Sequence, residues 1–251
     1  MLMPAIPKAD LIEIFSSIQG EGLLVGCRQI FLRLPDCNLN CRYCDTDFKR
    51  TPSCQVEKNP GTGQMEEWTN PIALDRVLDL ITDWEKQLHG AHHSISITGG
   101  EPLLHEQLLS AWLPELSEIL PTYLETNGTL PDQLERLIDD LDWVAMDIKL
   151  HSQTGERSDW ETHRRFLEIA RKANCYVKLV VGEETPDLEL QLAADLVNSV
   201  GKTIPIIIQP VTLKDRIAVS TGRLLQMQSI ISELHHDVRV IPQTHRFMGV
   251  L

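Results

Sequence analysis

Apolar residues come in short dense runs separated by longer stretches of helical period. QIFLRL (29–34), SISITG (94–99), TYLETN (122–127), DWVAMDIK (142–149), CYVKLVV (175–181), PIIIQPV (205–211) and DVRVIP (237–242) read as strands. Several are nearly continuous in β-branched residues, as strands buried on both faces are. Between them the spacing changes to that of amphipathic helices. The first is expected after Asn70-Pro71, a capping residue followed by a first-turn proline, with Leu74, Val77, Leu78, Ile81, Trp84 and Leu88 on one face. Others fit 105–120, 131–141, 159–173, 186–200 and 221–235, with Pro131 and Pro186 suited to helix starts.

This alternation implies a parallel sheet with right-handed crossovers. The expected fold is α/β, an open, partial parallel β/α barrel of about six units. A flat doubly wound sheet fits the same alternation. In either, a ligand is expected at the C-terminal ends of the strands. Residues 49–70 are polar, rich in Gly, Pro and Thr and without a period. They are expected to form a long loop inserted in a single domain spanning 1–251, with a hairpin around Pro60-Gly61 as one form of it.

Composition narrows the partners. The 251-residue chain carries a formal net charge of −13, which disfavours nucleic-acid binding by phosphate neutralisation. There is no apolar run long enough to span a membrane, and the first residues lack the pattern of a signal peptide, so a cytoplasmic protein is expected, and its charge points to a small-molecule substrate or to a protein partner docked through a local patch. Six cysteines in such a chain are not expected to form disulfides. Cys27, Cys54 and Cys175 stand alone; Cys175 opens an apolar run, and Cys54 lies in a polar stretch where exposure is expected.

The remaining three are clustered. CNLNCRYC at 37–44 places Cys37, Cys41 and Cys44 in a C-x3-C-x2-C pattern directly after the first expected strand. A structural zinc site needs a fourth ligand, and Cys54 is the nearest candidate. A cubane iron–sulfur cluster held by three thiolates leaves one iron open. A second feature, ITGGEP at 97–102, ends a strand with paired glycines that let a backbone approach a ligand.

Together these resemble the radical S-adenosylmethionine (SAM) superfamily. The resemblance implies a 4Fe-4S cluster whose open iron is chelated by SAM, and a 5′-deoxyadenosyl radical that takes a hydrogen atom from substrate. Within that superfamily the chain resembles the 7-carboxy-7-deazaguanine synthases of queuosine biosynthesis. QGEG (19–22), the cysteine loop, TGGEP (98–102), ETNGT (125–129), QPVT (209–212) and the tail QTHRFMGVL (243–251) carry the resemblance along nearly the whole chain. It implies a Mg²⁺-dependent lyase that contracts the ring of 6-carboxy-5,6,7,8-tetrahydropterin to 7-carboxy-7-deazaguanine with loss of ammonia.

The same resemblance implies roles. Tyr43, Cys44, Asp45, Gly100, the triplet Asp147-Ile148-Lys149 and Gln209 would contact SAM. Ile18, Gln19, Gly20, Arg33 and Thr98 would contact the pterin, with the Arg33 fork suited to its carboxylate. Thr46 would ligate Mg²⁺, with substrate oxygens and water completing the octahedron. A flavodoxin or ferredoxin electron donor and a homodimer are implied as well. The triplet departs from the serine-proline-lysine of many synthases. It resembles radical SAM activases that act on a protein glycine, which leaves that reading open beside a zinc-binding interaction module.

Overall fold

The computed structural model describes residues 6–44, 47–213 and 216–250. In chain order the elements are β1 (Glu13–Ile18), β2 (Arg28–Leu34), β3 (Ser53–Glu57), β4 (Met65–Thr69), α1 (Leu74–Gln87), β5 (His92–Gly99), α2 (Glu106–Ser117) and β6 (Thr122–Thr126). There follow α3 (Pro131–Leu137), β7 (Trp143–Asp147), α4 (His151–Thr154), α5 (Trp160–Ala170), β8 (Asn174–Val181) and α6 (Asp187–Val200). The last are β9 (Ile206–Pro210), β10 (Thr212–Leu213), β11 (Arg216–Ile217), α7 (Thr221–Ser232), β12 (Val238–Val240) and α8 (Thr244–Met248).

Strands β2, β5, β6, β7, β8, β9 and β12 pair in parallel, each beside the next in sequence. These are the seven runs expected from the pattern. The connecting helices pack side by side in a series, α1 on α2, then α3, α5, α6 and α7. They cover one face of the sheet and bury the main apolar core there. The other face lines a cavity, so the flat, doubly covered alternative does not apply. The full sheet has ten strands in the order β12-β9-β8-β7-β6-β5-β2-β1-β3-β4, with β12 and β4 as unjoined edges, which makes it an open barrel.

The N-terminal end differs from the expectation. IFSSI belongs to a strand, β1, antiparallel to β2 with Phe15 opposite Phe31. Segment 49–70 takes the hairpin form expected around Pro60-Gly61, as β3–β4, and differs only in that the hairpin extends the sheet from β1 instead of standing as a loop. Its outer strand, MEEWT, buries only Trp68, so the alternation that marks a strand is nearly absent. Cys54 is 0% exposed and sits in the core, which corrects the exposure expected for it. Asn70 does not cap α1. Its side-chain amide accepts from Leu11 N–H and donates to the carbonyls of Leu11 and Thr51, and the helix begins at Leu74. Elsewhere the helix starts use side chains in the usual way. Asp159 caps α5 by accepting from Thr162 N–H at 3.1 Å, and Ser220 caps α7 by accepting from Arg223 N–H.

Candidate active site

The site follows from the two-residue period of the strands. On β6 to β9, Leu124, Val144, Met146, Val177, Leu179, Ile206 and Ile208 face the helices and join the core. The alternate positions turn inward. Tyr123, Ala145, Tyr176 and Ile207 form a small inner apolar cluster with Leu24. One step further along the same strands stand Glu125, Asp147, Lys178 and Gln209, all lining a cavity of about 580 Å³. An apolar floor therefore gives way to a polar wall within one pleat.

The cysteine loop covers the C-terminal ends of these strands. Its base is closed by Asp36 N–H donating to Phe48 O at 2.7 Å and by Arg50 paired with Asp36. Cys37, Cys41 and Cys44 line the cavity, and none is in a disulfide. Burial pushes the Cys37 and Cys41 thiols up, so both favour the protonated form until a cation compensates. Among the described residues no three His, Cys, Asp or Glu side chains gather as a single metal ion requires. Three thiols lining one cavity are the donor set that a cubane takes, with each thiolate meeting a different iron. Cys54, proposed as a fourth zinc ligand, points into the core, where burial pushes its thiol up to about 12.

The glycine pair threads between the cysteine loop and β2. Gly99 has φ 134°, and a Cβ there would meet Leu34 O at 2.0 Å. At Gly100 a Cβ would meet Asp36 O at 1.9 Å and Cys37 Cβ at 3.1 Å. Only glycine lets this backbone pass so near the cluster loop. The Glu101 side chain turns away into the protein, where it accepts from Leu103 N–H, Thr126 Oγ1 and Asn127 N–H. Burial raises its carboxyl to about 7 in spite of those donors.

A chain of buried charges crosses the cavity wall. Lys149 Nζ pairs with Asp147 Oδ2 at 2.7 Å and donates to the Tyr43 hydroxyl at 3.3 Å. Lys178 Nζ lies 3.3 Å from Asp147 Oδ1 and pairs closely with Glu21. Burial alone would raise the Glu21 carboxyl, yet Lys178 holds it down at about 2. Burial would likewise neutralise both lysines, but Asp147 and, for Lys178, Glu21 raise their pKa values above the ordinary lysine range.

At the other end of the cavity the QGEG turn follows β1 and reaches the site from the opposite direction to the cysteine loop. Gln19 Nε2 donates to Glu125 Oε1 and to Gln29 Oε1, each at 2.8 Å, and Thr98 Oγ1 donates to Glu125 Oε2 at 2.7 Å. The C-terminal tail lies across the same turn. Thr244 N–H donates to Gly20 O at 2.8 Å, and Gln243 Nε2 donates to Glu21 Oε1 at 2.9 Å.

Of the residues assigned from sequence, Ile18, Gln19, Gly20, Arg33, Tyr43, Thr98, Gly100, Asp147, Lys149 and Gln209 line this cavity with the three cysteines. The Gln209 side-chain oxygen is buried there without a hydrogen-bond partner among the described residues. The Ile148 side chain does not line the cavity: it is 1% exposed and packs in the core, because the strand period sends it outward between Asp147 and Lys149. Arg33 is not an isolated cation, since its Nε pairs with Glu13 at 2.5 Å. Asp45 and Thr46 lie outside the described residues. Glu125 and Lys178 also line the cavity, although no motif assigns them a role. A lysine inside the apolar run CYVKLVV was the available signal, because a charge there must find a buried partner.

Comparison with known proteins settles the family. A family model described as the radical SAM superfamily matches residues 32–197. The 7-carboxy-7-deazaguanine synthase of Geobacter sulfurreducens is 47% identical over 248 residues, covering 98% of this chain and 99% of the relative. The chain belongs to the 7-carboxy-7-deazaguanine synthase family of radical SAM enzymes. The synthase of Methanothermobacter thermautotrophicus is 38% identical over 262 residues, covering 97% of this chain and 98% of its own. The crystal structure of QueE from Escherichia coli shares the fold, with a TM-score of 0.59, 22% identity and 95% of each chain covered. End-to-end similarity to these synthases sets aside both the activase reading of Asp147-Ile148-Lys149 and the zinc module.

Proposed function

We propose that this cavity converts 6-carboxy-5,6,7,8-tetrahydropterin to 7-carboxy-7-deazaguanine, with SAM, a 4Fe-4S cluster and Mg²⁺. The supporting observation is that the cysteine loop, the glycine pair and the QGEG turn meet on one cavity. When bound, the reduced cluster and SAM supply a radical that starts the chemistry by taking a hydrogen atom.

The residues of the chain bind, orient and exclude water. Cys37, Cys41 and Cys44 would hold the cluster, and Gly100 would present its backbone to SAM beside them. Lys149, held by Asp147 and stacked against the Tyr43 ring at 5.6 Å, offers a cation for the SAM carboxylate. Gln19, Thr98 and Glu125 form one hydrogen-bonded group that can pair with the donor–acceptor edge of a pterin. Arg33 lines the cavity and offers a fork for the substrate carboxylate, which would share it with Glu13. Thr46 is assigned to Mg²⁺ by family resemblance. Cys44 is exposed, so a flavodoxin or ferredoxin could reduce the cluster from that side. Assembly as a homodimer is carried over from the same resemblance.

The test is turnover. Anaerobically reconstituted protein is expected to hold about four irons per chain and to convert the carboxypterin with SAM, dithionite and Mg²⁺. Cys37→Ala, Cys41→Ala and Cys44→Ala should each abolish SAM cleavage. Cleavage of SAM without any product from the pterin would overturn the substrate assignment.

A further inference from the structure

We propose that Asn127 tunes the cluster: its side-chain amide donates an N–H to the Cys37 sulfur and so raises the cluster's reduction potential. This rests on the cluster reading given above. None of the binding roles assigned to the cavity uses Asn127.

Asn127 follows β6 and is 5% exposed. Its main-chain N–H donates to Glu101 Oε2 at 2.7 Å, which fixes the backbone. Its side-chain Oδ1 accepts from the Thr129 N–H at 3.1 Å and from the Thr129 hydroxyl at 2.5 Å. A backbone N–H can only donate, so this contact identifies the oxygen end of the amide and leaves Nδ2 at the opposite end. Nδ2 carries two hydrogens. One serves Asn38 Oδ1 at 2.8 Å, and Cys37 Sγ lies 4.0 Å from the same nitrogen. Asn38 closes the ring by donating to Thr129 Oγ1 at 2.9 Å. The amide therefore cannot rotate to turn its oxygen toward the sulfur without breaking the contacts to Thr129 and Asn38.

A thiol accepts weakly, whereas a thiolate on iron accepts strongly. Reduction adds an electron whose charge is shared with the sulfurs, so a donor aimed at one of them favours the reduced state. Asn127→Leu removes the donor at similar volume. Asn127→Asp removes the same N–H donor at nearly unchanged size.

The experiment is a potentiometric titration of the reconstituted cluster, followed by EPR, with iron content measured alongside. The midpoint is expected to fall below wild type in both Asn127→Leu and Asn127→Asp, so that at a fixed poise the reduced fraction drops severalfold in each. Asn38→Ala keeps the amide beside Cys37 and should titrate with the wild type. Unmoved midpoints in both Asn127 variants, at wild-type iron content, would overturn the assignment. So would an equal shift in Asn38→Ala, which would trace the effect to loop order. Loss of the cluster in both Asn127 variants would show a structural clamp instead, and also overturns it. A wild type without a cubane signal would overturn the cluster reading itself, and this assignment with it.

Discussion

Glu21 keeps its charge inside the cavity because Lys178 stands against it. The pair has a measurable consequence. The carboxyl is held at about 2 in the folded protein against an ordinary 4.5. A depressed acid stabilises the fold above its unfolded pKa and loses that contribution as pH falls toward the folded value. Glu21→Gln should therefore cost on the order of 3 kcal/mol at pH 7. The deficit should shrink as pH falls from 4.5 toward 2, because the wild-type carboxylate is then being protonated. Urea unfolding of both proteins at pH 7 and at pH 3 checks this, and a deficit that stays constant would mean the carboxylate contributes by shape alone. The same residues show what a sequence can carry at this scale. Cysteine and glycine spacings are local and were legible as chemistry. The partner of Lys178 lies 157 positions away, and no local pattern points to it.

At the scale of elements, legibility followed burial. The parallel strands are covered by helices on one face and carry the small inner apolar cluster on the other, so their apolar runs are dense and were legible. Strand β1 was hidden because EIFSSI does not alternate: its four central residues are all buried, and two of them, Ser16 and Ser17, are polar. The β3–β4 hairpin was legible at its turn, Pro60-Gly61, but not in its two strands, because they form an edge and edges are kept polar. Its one inward thiol is nonetheless decisive for the metal question. Cys54 pairs across the hairpin with Trp68 and lies fully in the core. Cys54→Ala removes one buried sulfur and should cost about 1–2 kcal/mol, in the range of small core deletions. Iron content and SAM cleavage should stay at wild-type levels, in contrast to the three loop cysteines. Iron analysis beside thermal unfolding makes the comparison. A loss of iron in Cys54→Ala would return that cysteine to the ligand set.

Across the whole molecule, an open barrel has to be closed by something other than strand pairing, and here the two distal parts of the chain meet to do it. After β12 the backbone at Ile241 still donates to Ile208 O at 3.0 Å, and the tail then leaves that edge and reaches Gly20 at the end of β1. His245 lies so close that a Cβ on Gly20 would stand 2.2 Å from its Nδ1 and 2.6 Å from its Cβ. The backbone at Gly20 is outside the left-handed region, so alanine there is acceptable to the turn and objectionable only to the tail. Overpacking of this kind costs about 1–3 kcal/mol, and the tail, whose helix α8 buries none of its residues, is the part that yields. Gly20→Ala should therefore displace residues 243–246, disturb the Gln243–Glu21 contact and weaken binding at the QGEG end of the cavity. The expected signature is a KM for the carboxypterin raised by about tenfold or more. Cluster content and pterin-independent SAM cleavage should be unchanged, because the cysteine loop and the glycine pair lie at the far end. Faster proteolysis after Arg246 should accompany it. An unchanged KM with a displaced tail would show that the tail closes the barrel without shaping the substrate end.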